Sequence, residues 1–138
     1  MRFFQVHLAC THWSIDRMLD LLVKRLVANG YGIYLTDANK FFIYDHKTTD
    51  EFSGAHIDEY AEIMRQEIEI VKPTVIVCLG RSAERMCKKM GLRNILALPH
   101  LSGTARGAIV RKFPRLEEIG ATAENIAEEY AREIMRSL

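Results

Sequence analysis

The stretch Leu98–Gly107, "LPHLSGTARG", gathers residue types suited to chemistry on an anion. The imidazole of His100 can donate to a developing negative charge or shuttle a proton. Ser102, Gly103, Thr104 and Arg106 follow it closely. Small residues let a backbone approach a ligand, hydroxyls donate to phosphate, and an arginine grips phosphate in a fork. Capping a loop carbonyl is the commoner use of an isolated histidine; these neighbours favour a site. Asp37 could accept from a ligand's N–H groups or act as a base, with a turn or N-cap role equally open. Asn39 lies in the same "TDANKFF" segment and is a further substrate-binding candidate. In "CTHWS", Thr11 and His12 are candidate polar groups, and Trp13 offers a stacking face for a base, although burial against the next helix is its plainer use. Gly80, Arg81 and Ser82 stand where a helix should start, so its first N–H groups could bind phosphate. Arg111 and Lys112 extend the phosphate-binding candidates.

The periodicity supplies elements to position these residues. "RFFQVHLA" is short and β-rich and predicts a strand from Phe3 to Ala9. Ile15, Met18, Leu19, Leu22, Val23, Leu26 and Val27 recur at helical spacing, with Ser14 as N-cap and Asn29–Gly30 as the stop. Tyr31 to Thr36 reads as a second strand. "AHIDEYAEIMRQEIEIVK" is helical, with Ile57, Tyr60, Ala61, Met64, Ile68 and Val71 on one face, and Pro73 ends it. "TVIVCLG" is apolar without alternation, which predicts a central parallel strand buried on both faces. "RSAERMCKKMG" predicts a short helix closed by Gly91, and "NILAL" the next strand. Pro99 to about Arg115 reads as a loop. A last helix begins at about Thr122, its cap, with Ile126, Ala127, Tyr130, Ile134 and Met135 facing inward.

Strands alternating with helices predict an α/β fold: one domain over residues 1–138, built as a three-layer α/β/α sandwich on a four-stranded parallel sheet. In such sheets ligands sit beyond the carboxyl ends of the strands. That rule selects "CTHWS", "TDANKFF", "GRSAE" and "PHLSGTAR", the segments already singled out by their residue types.

Composition narrows the classes. The 138 residues are 49% hydrophobic and 27% charged, as in ordinary globular proteins. No apolar run approaches the roughly 20 residues that span a bilayer, so no membrane association is expected. The N-terminal apolar run is interrupted by glutamine and histidine, unlike a signal peptide. Cys10, Cys78 and Cys87, with no CxxC, read as reduced thiols of a cytoplasmic protein. They are too few for a four-cysteine cluster, and neither a metal nor a cofactor is expected. The net charge of +1 conceals segregation: residues 81–115 hold nine Lys or Arg and one acid, whereas residues 45–71 hold eight acids. The basic segment predicts a partner rich in phosphate, DNA or a nucleotide.

In order along the chain, "YLTDANKFF", an acidic helix, "KPTVIVCLGRSA" and "LPHLSG" resemble the uracil-DNA glycosylase superfamily, over roughly Ile33 to Arg106. The resemblance implies a compact α/β/α sandwich with a four-stranded parallel sheet. It implies that His100 stabilises negative charge on a departing base and that Asp37 stands where an asparagine reads the base edge. It places Ser102 and Gly103 in a loop that presses on the DNA backbone, and Cys10–Trp13 where the family carries its water-activating motif and stacking aromatic. The chain departs from the pattern at three points. Leu101, not proline, follows His100. Asp37 replaces the asparagine, and a carboxylate can only accept, which suits the N–H groups of guanine or cytosine better than uracil. The first loop lacks the family's glycine- and proline-rich pattern and its acidic or amide residue, leaving Thr11 or His12 for water activation.

Three functions are therefore expected to compete. One is a DNA glycosylase-like hydrolase using His100, Asp37 and His12 on an altered base, with Arg106, Arg111 and Lys112 holding the backbone. The alternative is a non-catalytic nucleotide- or nucleic-acid-binding member of the same fold. The third is an interaction protein with no ligand, whose charge asymmetry could serve self-association into a homo-oligomer, a basic face meeting the acidic helices of a second copy.

Overall fold

The computed structural model describes residues 2–8, 16–37 and 57–138. Along the chain run β1 (Arg2–Leu8), α1 (Asp16–Ala28), β2 (Tyr31–Asp37), α2 (Ile57–Val71), β3 (Val75–Leu79), α3 (Arg81–Lys89) and β4 (Ile95–Leu98). A 3₁₀ turn (Gly103–Ala105), α4 (Arg106–Lys112), α5 (Arg115–Ile119) and α6 (Ala123–Arg136) follow. The expected α/β alternation holds. Among the described residues the strands pair in the order β2-β1-β3-β4, and every pairing is parallel.

β3 lies between two neighbours, and its five residues are all buried. Its side chains divide by the strand's period of two. Val75, Val77 and Leu79 pack with Leu22 and Leu26 of α1 and with Ile126, Ala127, Tyr130 and Ile134 of α6. Ile76 and Cys78 pack on the other side with Tyr60, Ala61 and Met64 of α2 and with Ala83, Met86 and Cys87 of α3. A strand sealed on both faces has no polar positions to spare, which is why its sequence shows no alternation. α1 and α6 are also tied by ion pairs, Arg17 to Glu124 and Arg25 to Glu128, the latter at 2.5 Å.

The caps follow local chemistry. Thr122 is extended (φ −75°, ψ 162°), and its hydroxyl accepts from the Asn125 N–H at 3.2 Å, as expected of the N-cap of α6. Gly91, at φ +72°, follows α3 in the left-handed conformation that favours glycine. The predicted Ser14 cap lies outside the described residues.

The structure corrects the predicted loop from Pro99 to Arg115. Most of that segment is helical, in the 3₁₀ turn and α4. Its apolar residues Leu101, Ile109, Phe113 and Leu116 are buried and join the cluster of α1 and α6. From Ile109 onward they recur at spacings of four and three, an amphipathic pattern masked by short length and by Gly103, Gly107 and Pro114. Burial of Leu101 alone contributes on the order of 1.5–3 kcal/mol and pins the turn that carries His100.

Candidate active site at the carboxyl edge of the sheet

The registers bring the strand ends together. Leu8 of β1 is level with Asp37 of β2 and with Leu79 of β3, and Leu79 is level with Leu98 of β4. Asp37, Gly80 and the Pro99–His100 turn therefore share one edge of the sheet. Asp37 is the last residue of β2 rather than the first residue beyond it. Its side chain lies outside the described residues, as do Thr11, His12, Trp13 and Asn39.

Gly80 and His100 form the centre of the described site. The Gly80 N–H donates to the Leu98 carbonyl at 2.9 Å, which holds the two strand exits side by side. Gly80 has φ +94° and ψ 164°, a conformation open essentially to glycine alone. A Cβ on Gly80 would stand 3.3 Å from His100 Cβ and 3.4 Å from His100 Cδ2. The imidazole therefore lies against a surface that only glycine provides.

His100 is half-buried, and its Nε2 is buried with no hydrogen-bond partner among the described residues. Burial lowers its pKa below the ordinary histidine value of about 6.5, so the ring is neutral at pH 7. A neutral imidazole with an unsatisfied buried nitrogen is primed for a ligand, because an orphaned buried polar atom costs about 1–3 kcal/mol until it is paired. The turn itself is well anchored. Leu101, the next residue after His100, is fully buried in the core, and the Tyr130 hydroxyl donates to the Pro99 carbonyl at 2.7 Å. Helical spacing predicts Tyr130 as a core residue, but this long-range bond leaves no local sequence signal.

The remaining predicted residues surround this centre unevenly. Arg81 is exposed and Ser82 half-buried at the start of α3, where the first-turn N–H groups have no intrahelical acceptor. The Ser102 and Thr104 hydroxyls lie 3.1 Å apart. Gly103 is exposed, and a Cβ there would meet open space. Arg106 is committed to a structural bond, donating to the Ala121 carbonyl. Lys112 pairs with Glu133 at 3.6 Å, whereas the guanidinium of the exposed Arg111 lies over Gly107.

The basic segment is accordingly not one continuous field. Lys88 pairs with Glu84, Lys89 with Asp58 and Arg115 with Glu129. Among the described residues, Arg81, Arg85, Arg93 and Arg111 make no ion pair. Acids of α2 and α6 neutralise part of the charge, a long-range effect that counting along the sequence does not capture.

The family model described as the uracil DNA glycosylase superfamily matches residues 7–122. The chain belongs to that superfamily. No curated protein and no solved structure shows a significant match to it. The superfamily match takes in the ends of all four strands, Gly80, the His100 turn, α4 and α5, and it stops at the cap of α6. Membership in the uracil DNA glycosylase superfamily makes this a DNA glycosylase-like chain and supports nucleic-acid binding. Among the described residues no helix is long and apolar enough to cross a membrane.

Proposed function

We propose that this protein binds DNA and hydrolyses the N-glycosidic bond of an altered base, with His100 donating to the base as it departs. The observation that carries this reading is His100 itself: a neutral ring on a glycine surface, its Nε2 buried and unpartnered among the described residues, at the sheet edge where α/β ligands bind. A neutral imidazole that donates to a forming oxyanion stabilises charge as it develops, without a prior proton transfer.

Asp37 reads the base edge in this proposal. Because a carboxylate only accepts, the preferred base presents N–H groups, as guanine- or cytosine-like edges do, and uracil is disfavoured. Thr11 or His12 activates water, and Trp13 and Asn39 complete the base pocket. Gly80, Arg81 and Ser82 receive a phosphate at the start of α3, where the first-turn N–H groups are free of intrahelical acceptors and Arg81 is exposed. Ser102 and Gly103 contact the backbone beside the extruded nucleotide, and Arg111 holds a neighbouring phosphate. Lys112 and Arg106 contribute less, since both have protein partners. The strand order and the two apolar clusters support a three-layer α/β/α sandwich on four parallel strands, formed by residues 1–138 as one domain. The free, buried Cys78 and Cys87 support a reducing, cytoplasmic setting.

A specific observation favours the alternative of a non-catalytic nucleotide- or nucleic-acid-binding member: "CTHWS" offers no carboxylate or amide to activate water. The two separate on oligonucleotides containing uracil, hypoxanthine, xanthine or a mismatched normal base, single- and double-stranded, with abasic sites revealed by alkali. Release from a substrate other than uracil is the expected outcome. Retention of DNA without release from any substrate would establish the binding-only alternative.

A further inference from the structure

We propose that Tyr130 is a positioning residue for His100, a strut through which α6 sets where the imidazole stands. The proposal rests on the reading of His100 as the group that meets the departing base. Three observations converge on it. The Tyr130 hydroxyl donates at 2.7 Å to the carbonyl of Pro99, the residue immediately before His100. Tyr130 is itself fully buried, and its ring packs on Phe113 with centroids 5.1 Å apart. A phenol so enclosed has little freedom, so the position of its oxygen is set by the packing of α6. Finally, the Gly80–Leu98 bond and the glycine surface hold the turn from the start of α3, and the buried Leu101 holds it just after His100. The Pro99 carbonyl is where α6 adds a hydrogen bond of its own.

The consequence is a division of labour between two parts of the chain. The strand ends, within residues 7–122, supply the imidazole and the surface it rests on. α6, beyond those residues, supplies the constraint that keeps the imidazole in register with them. Loss of the hydroxyl alone leaves the ring packing intact and frees the Pro99 peptide to rotate. The Nε2 position then becomes a distribution. A displacement of a fraction of an ångström at a reacting group lowers the rate of the bond-breaking step without altering the contacts that hold the nucleic acid.

The test is Tyr130→Phe in the full chain, with Ile134→Val as a control that loosens the same face of α6 without touching the Pro99 bond. The first readout is the set of His100 ring carbon–hydrogen resonances by NMR. Tyr130→Phe should shift and exchange-broaden them, whereas Ile134→Val should leave them in place. The second is single-turnover base release against DNA dissociation constant. The Phe variant should lose on the order of tenfold in rate at unchanged affinity. Unaltered His100 resonances in the Phe variant would overturn the proposal, as would equal effects in the two variants. If the wild-type protein releases no base, the catalytic reading of His100 fails. The strut is still decided by the resonances, so the two failures are distinguishable.

Discussion

His100 and Gly80 act as a unit, since the ring rests where a side chain would otherwise stand. Gly80→Ala introduces a Cβ 3.3 Å from His100 Cβ at a backbone conformation that other residues avoid. The expected loss is about 1–3 kcal/mol of stability, read by urea unfolding, together with displaced His100 ring resonances. Unchanged values on both measures would mean that the glycine surface is incidental. The lowered pKa of His100 also has a defined sign. As pH falls, the unfolded chain takes up the proton first, near the ordinary value of about 6.5, while the buried ring resists it. The histidine therefore removes stability as pH drops from 7 toward 5. His100→Gln should flatten part of that dependence, and identical slopes in the two proteins would contradict it. His100 was legible in the sequence because its residue type and strand-end position coincide. The surface offered by Gly80 was not, because it is a contact across 20 positions whose geometry no local pattern encodes.

At the scale of elements, the site depends on strand exits held level and on helices that fix the turn. The N-cap of α6 was readable from Thr122, because capping is local chemistry. Thr122→Ala should cost about 1 kcal/mol, a fall of roughly 4 °C in the melting midpoint. No change on calorimetry would show that the Thr122 hydroxyl adds nothing to α6. The continuous apolar run of β3 was equally plain, since burial on both faces leaves a residue-by-residue record. The segment after Pro99 reads as loop in sequence yet folds as helix, for a physical reason. Its helices are short, glycine and proline punctuate them, and their stability comes from Leu101, Ile109, Phe113 and Leu116 meeting a core built by distant residues. The Tyr130 bond belongs to the same class of fact, a contact between α6 and a strand exit 31 residues away.

For the whole molecule, charge along the sequence overstated the basic field, because folding places acids of α2 and α6 beside Lys89, Lys112 and Arg115. Nucleic-acid binding should therefore depend on the unpaired arginines. Arg81→Gln and Arg111→Gln should each reduce the slope of log affinity against log salt by about 1. Lys112→Gln should reduce it less, its ammonium being engaged by Glu133. Equal effects of all three on titrations from low to physiological salt would contradict that assignment. The α/β class was legible from alternation alone, and the superfamily from "KPTVIVCLG" and "LPHLSG" in order. The partner surface was not, since pairing is settled only when the helices pack. The most direct measurement is single-turnover base release by wild-type protein and His100→Gln on the best oligonucleotide of the panel, with binding measured in parallel. Release that falls by about 100-fold or more in the variant, at unchanged affinity, is the predicted result. Equal release by the two proteins would contradict the central claim that His100 carries the chemistry.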